Sequence, residues 1–162
     1  MHIINTRMLN EDQQTAAFKL WNTEYPEQLM MKTRADFEQY LSTLTAANHF
    51  LLIGNTGEIS GWAFKFTRES ALWFAVILDS SKHRKGFGSM LLNHIKDQET
   101  ELNGWVVDHD DYLLYDGARY LSPLNFYRKN GFTVIEDIRL ESPHLSALKI
   151  SWKKTAAIVN LS

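Results

Sequence analysis

Residues 2–9 (HIINTRML) roughly alternate apolar with polar positions and predict a first strand. The next segment, NEDQQTAAFKLW, opens on acidic and amide residues suited to a helix start, and Pro26 ends or redirects it. From Thr33, the stretch TRADFEQYLSTL carries a capping-box-like Thr33 and Asp36, and Phe37, Tyr40, Leu41 and Leu44 share one helical face. HFLLIG, the turn NTG and EISGWAFKF then predict a hairpin, since Asn55 and Gly57 supply turn chemistry between β-rich runs.

Residues 71–78 (ALWFAVIL) are apolar without alternation, the pattern of a central strand covered on both faces. Beyond Gly88, Leu91, Leu92, Ile95 and Leu102 recur at helical spacing, and Asn103 with Gly104 predicts the helix stop. GWVVD follows as a short strand, so strand, crossover helix and strand form a parallel βαβ unit. A tyrosine-containing loop (HDDYLLYDGARYL), a short helix (SPLNFYRKN) and strands near FTVIEDIRL and LSALKISW complete the pattern. No repeat or linker interrupts it, which predicts one mixed α+β domain over residues 1–154 and a C-terminal tail, 155–162.

Composition narrows the chemistry. The 162 residues suffice for one core, and a 44% hydrophobic, 22% charged makeup is that of an ordinary globular protein. There is no cysteine, which excludes disulfides, thiolate metal sites and a cysteine nucleophile. The N-terminus has no signal-peptide core and no apolar run reaches membrane-spanning length, so a cytoplasmic location and no membrane partner are expected. Net charge is −2, and the basic residues cluster only at Lys82, Arg84 and Lys85, so no nucleic-acid footprint is expected, while a local anion site is.

That cluster belongs to SKHRKGFGSML, residues 81–91, at the end of the apolar strand and the start of a helix. Glycine brings backbone N–H groups close to a ligand, and those at a helix start lack partners within the helix. Gly86, Gly88 and Ser89 are therefore candidate phosphate donors, with Arg84 and Lys85 supplying charge. The same glycines also suit a plain tight turn. No GK[ST] follows, which excludes a P-loop. A Rossmann reading would use Gly86, Gly88 and Asp108, but Leu91 stands where a third glycine belongs and the loop follows its strand too late.

His83-Arg84-Lys85-Gly86-Phe87-Gly88 resembles the acetyl-CoA loop of the Gcn5-related N-acetyltransferases (GNAT family), whose pattern is Gln or Arg, two residues, Gly, one residue, Gly or Ala. A second family signature, an aromatic pair and Gly-Phe three residues later, is matched by Phe126, Tyr127, Gly131 and Phe132. Element order agrees over residues 2–153. Two departures stand out: His83 replaces Gln or Arg, and Tyr120 and Pro123 occupy positions where Asn and Ala are common.

The resemblance implies a mostly antiparallel mixed sheet of about seven strands with a splayed parallel pair, flanked by about four helices. It implies acetyl-CoA as cosubstrate, with no metal. The pantetheine arm would follow Val76, Ile77 and Leu78, and the pyrophosphate would rest on the loop from His83, Arg84 and Lys85 through Gly86, Phe87, Gly88 and Ser89. An acceptor amine would attack the thioester directly, and Tyr127 matches the position that protonates the leaving thiolate. Asp108 and His109, at the end of the second parallel strand, are candidates for the base. Trp21, Glu24 and Tyr25 are candidates for an acceptor pocket, for a small-molecule or peptide amine. A non-catalytic acyl-CoA sensor on the same fold is the alternative. The apolar tail 156–161 is a candidate docking segment in a homodimer.

Overall fold

A computed structural model describes residues 1–155, so the tail segment proposed for docking lies outside the described residues. Seven strands form one sheet in the order β1-β2-β3-β4-β5-β7-β6. They are β1 His2–Thr6, β2 Thr45–Ile53, β3 Ile59–Arg68, β4 Ala71–Leu78, β5 Glu101–Val106, β6 Thr133–Glu141 and β7 Ser146–Lys153. All neighbours pair antiparallel except β4 and β5. Four α-helices flank them: α1 Glu11–Glu24, α2 Arg34–Ser42, α3 Phe87–Lys96 and α4 Leu124–Lys129. Among the described residues, no helix is long and apolar enough to cross a membrane.

Local chemistry sets the helix starts. Asn10 caps α1 in a reciprocal capping box with Gln13, at 2.9 Å in both directions. Thr33 caps α2 by accepting the Asp36 N–H. The α1 helix stops at Tyr25, before Pro26, as the sequence predicts. The α3 helix ends sooner than its apolar spacing predicts, at Lys96, and Leu102 is a buried residue of β5. Leu102 keeps the helical period by coincidence, because a core-facing strand position is apolar as well. Strand β2 likewise begins four residues before His49.

Two apolar layers sandwich the sheet. On one face Leu91, Leu92 and Ile95 of α3 and Tyr127 of α4 pack with Phe50, Phe74 and Phe132. On the other, Leu20 and Trp21 of α1 and Phe37 of α2 pack with Trp62, Phe64 and Ile77. The most buried strand is β3, whose residues Ser60–Phe66 are all shielded, whereas β4 is mostly half-buried. The apolar run of β4 predicts complete burial; the strand instead borders an opening in the sheet. At the far edge, β6 shifts register between Ile135 and Arg139, leaving Glu136, Asp137 and Ile138 outside the pairing.

His49 lies 4% exposed on β2, and its Nδ1 accepts the Trp62 Nε1–H at 3.2 Å. Burial lowers its pKa from 6.5 to about 4. The folded state holds this imidazole neutral while the unfolded chain protonates it below pH 6.5, so its contribution is lost as pH falls from 6.5 to 4. The loss approaches about 3 kcal/mol. Urea midpoints compared at pH 7 and pH 4.5 should show this drop in the wild-type protein, and His49→Gln should show much less of it.

Candidate active site

The opening lies between β4 and β5. Their parallel pairing consists of a single bridge, Trp73 to Asn103, beyond which the strands diverge. Side chains set that geometry. The Asn103 amide donates to the Leu72 carbonyl at 3.1 Å, holding the strands together at their base. One residue on, a Cβ at Gly104 would lie 2.9 Å from the Phe74 ring, so Phe74 fits against β5 only because Gly104 has no side chain. On the other face Trp73 stacks on Trp105 at 5.2 Å.

The free edge of β4 follows from alternation. Asp79 N–H donates to Ser60 of the β3 side at 2.9 Å, so Ile77 also directs its backbone toward β3, where it pairs with Trp62. Val76 and Leu78 direct theirs into the opening. Of the three residues expected to line a pantetheine arm, Ile77 therefore contributes no free backbone group. The Leu78 carbonyl is already engaged, 2.9 Å from His83 Nε2. A carbonyl only accepts, so Nε2 carries a hydrogen and His83 anchors the loop to the strand it leaves.

A second anchor comes from α1. Glu24, expected to meet a cationic acceptor, accepts the Ser80 N–H through Oε1 at 3.2 Å. Burial raises its pKa, partly offset by that hydrogen bond. Between these anchors and α3 the backbone adopts left-handed values at Arg84 (φ 61°) and Gly86 (φ 86°). Gly86 caps α3 without any side-chain hydrogen bond, and a Cβ there would meet nothing within 4 Å. No side chain caps the first N–H groups of α3, at Phe87, Gly88 and Ser89, which leaves them as donors suited to an anion. At Gly88 a Cβ would come within 3.2 Å of the Phe126 ring, which ties α3 to α4.

Tyr127 is 7% exposed at the base of the opening, edge-on to Phe74 and Phe132 at 5.7 and 5.4 Å. Its hydroxyl has no hydrogen-bond partner among the described residues, yet it is not among the sealed, unpartnered polar atoms, so it keeps some access to solvent. Burial raises its pKa strongly, and Tyr120 raises it further. Tyr120 is itself pushed up to about 12 by burial. Tyr25, at the α1 end, is raised well above its usual value by burial and then by Tyr120 and Tyr127. These three phenols, from separate elements, therefore stay protonated at neutral pH.

The two base candidates are turned to other tasks. Asp108 is gripped by Arg139 of β6 through two bonds of 3.1 and 2.7 Å, which lowers its pKa. His109 Nδ1 accepts the Asp111 N–H at 3.2 Å, leaving the neutral ring's hydrogen on Nε2 and no free lone pair. No hydrogen bond joins Asp108 to His109. Trp21 is core: its Nε1–H donates to the Leu29 carbonyl at 2.7 Å and its ring packs on Tyr25 and Tyr40. The sequence offered no signal for Arg139, 31 residues from its partner, and marked Tyr120 only as a departure from the family pattern.

Residues 46–134, more than half of the chain, match the family model of the acetyltransferase (GNAT) domain, and the chain belongs to that family. No curated protein sequence matches it. Among solved structures it resembles an aminoglycoside 6'-N-acetyltransferase complexed with coenzyme A, with 13% identity over 94% of this chain and 97% of the other, at a TM-score of 0.71. It also resembles the ribosomal-protein-S18-alanine N-acetyltransferase from Escherichia coli, with 16% identity over 99% of both chains and a TM-score of 0.63. A phosphinothricin acetyltransferase from Sinorhizobium meliloti in complex with AcCoA matches at 12% identity, 94% and 89% coverage and 0.64. At such identities these likenesses carry the fold alone.

The loop geometry can be tested by stability. Gly86→Ala introduces no clash, so its expected cost of about 1–2 kcal/mol is backbone strain alone. Gly86→Asn, which tolerates left-handed φ better, should recover part of it in thermal unfolding.

Proposed function

We propose that the protein transfers the acetyl group of acetyl-CoA to a primary amine within a ternary complex. The observation that carries this reading is the unblocked α3 N-terminus set beside a sheet opening with Tyr127 at its base. The pyrophosphate would accept from the N–H groups of Phe87, Gly88 and Ser89, with Arg84 and Lys85 nearby. The pantetheine amides would pair with the free backbone groups of Val76 and with the Leu78 N–H. His83 serves this site indirectly, by fixing the loop through Leu78.

In the reaction the neutral amine attacks the acetyl carbonyl carbon, forming C–N as C–S breaks. A lysine-like amine with pKa about 10.4 is roughly 3 units from its free base at pH 7, which adds about 4 kcal/mol to the barrier. Tyr127, protonated and within a mostly apolar setting, acts as the acid that protonates sulfur. Asp108 is a weakened base, its pKa lowered by Arg139, and the His109 Nδ1 lone pair is taken by the Asp111 N–H, so the amine's first proton leaves to solvent. Glu24 retains Oε2 for an acceptor cation at the α1 end, beside Tyr25.

Because the chain lacks cysteine, a thiol reagent reports only CoA released by turnover. Wild-type protein with acetyl-CoA and a panel of amines is expected to release thiol. Tyr127→Phe should lower kcat about 100-fold while calorimetry shows acetyl-CoA affinity little changed. Gly86→Glu should abolish that affinity, through strain at positive φ and a carboxylate in the anion cradle. Acetyl-CoA binding without thiol release from any amine would instead mark a binding module on the same fold, and absence of binding would overturn both readings.

A further inference from the structure

Lys96 is the last residue of α3, half-buried, with its ammonium held by protein groups. Nζ donates to the Asn130 carbonyl and lies 5.3 Å from the Phe132 ring centre and 5.0 Å from that of Trp152 on β7. Among the described residues no carboxylate pairs with it. Burial lowers its pKa, as for an ammonium drawn out of water. A lysine that only displayed its charge would stay in solvent. This one exchanges hydration for a carbonyl and two ring faces, contacts that strengthen as water is removed.

The carbonyl and the first of those rings belong to the end of α4. Phe132 N–H donates to the Tyr127 carbonyl and Gly131 N–H to that of Arg128, both at 3.1 Å, with Gly131 left-handed at φ 86°. This is a Schellman cap, and the apolar contact that accompanies it is Phe132 against Tyr127, rings 5.4 Å apart. The Asn130 side-chain amide donates to the Phe126 carbonyl at 2.8 Å. These carbonyls are satisfied within the turn, whereas that of Asn130 is met by Lys96. Trp152 covers the same turn, since a Cβ on Gly131 would lie 3.6 Å from its ring.

A helix of six residues does not hold its own place, so α4 sits where its neighbours fix it. Two contacts join it to α3: Phe126 against Gly88, and Lys96 against Asn130 and Phe132. The first lies at the anion cradle; the second lies about 12 Å further along α3, away from it. Phe132 also touches Phe74, the ring that parts β4 from β5, at 5.3 Å. We propose that Lys96 is a positioning residue: by gripping the Schellman turn it fixes α4, and with it the place of the Tyr127 hydroxyl, while the other end of α3 holds the cofactor. The inference rests on the acetyl-transfer reading above, with Tyr127 as the acid.

Thiol release with the amine that the panel shows to react fastest, together with acetyl-CoA affinity from calorimetry, tests this role. Lys96→Met, which keeps the apolar stem, should lower kcat about 10-fold with that affinity within about twofold. Lys96→Arg keeps a donor and a cation that stacks on rings, and should recover most of the loss. In a Tyr127→Phe background Lys96→Met should cost less than about twofold, because the hydroxyl it positions is gone. A general loosening of the fold would instead lower both backgrounds alike. Lys129→Met, which removes an exposed charge from the same short helix, is the unchanged control. Wild-type kcat in Lys96→Met, no recovery in Lys96→Arg, or equal losses in the two backgrounds overturns the proposal. Should Lys96→Met fail to fold, Lys96→Gln, which keeps a donor without the cation, is judged by the same comparison in both backgrounds. No transfer by the wild-type protein, or undiminished transfer by Tyr127→Phe, would overturn the underlying reading and this inference with it, and either is seen before any Lys96 variant is made.

Discussion

The site depends on one constraint: β4 and β5 must join at their start and separate immediately afterwards. A parallel pair normally gains a hydrogen bond at each step, so divergence after one bridge needs a cause. The structure supplies opposed contacts within two residues. Asn103 fastens the base through Leu72, and Phe74 leans over Gly104 to fill the space from which the strands part. The same ring packs against Tyr127 and Phe132, so the wedge that opens the sheet also seats the residue at its base. Any side chain at Gly104 would displace Phe74 and, with it, Tyr127.

The loop leaving β4 is fixed by groups that approach from both sides of that opening. His83 reaches back to the strand, and Glu24 reaches across from α1 to Ser80. Left-handed backbone at Arg84 is unfavourable in isolation and persists where its surroundings hold it, whereas Gly86 adopts it freely. The basic side chains that attract notice in the sequence are therefore secondary to backbone direction. Glu24 also links the first helix to the loop, so the two halves of the site are one mechanical unit.

Periodicity and punctuation carried most of the fold. The capping residues Asn10 and Thr33, the stop at Pro26 and the apolar run 71–78 each act through neighbours a few residues away, which is why they are legible. The misplaced end of α3 arose because Leu102 satisfies two periods at once. Site chemistry was less legible for the opposite reason. Asp108 reads as a free acid until Arg139 arrives from another strand, and Ile77 is indistinguishable from Val76 and Leu78 until the strand's register is known. Trp21 reads as pocket or core alike, and only the Leu29 carbonyl decides it. His83, a departure from the family pattern, keeps the loop in place by a bond that a longer side chain would make differently.

The register shift in β6 has a consequence for the whole molecule in solution. This strand is the outer edge of the sheet, where unpaired N–H and C=O groups would accept a strand from a neighbouring copy. The displaced residues Glu136 and Asp137, followed by Arg139 and Glu141, put alternating charge and an irregular backbone along that edge. A foreign strand would have to follow the distortion and bury those charges. The bulge thus acts as a guard against sheet-to-sheet aggregation, leaving the protein free to keep open the gap at its centre.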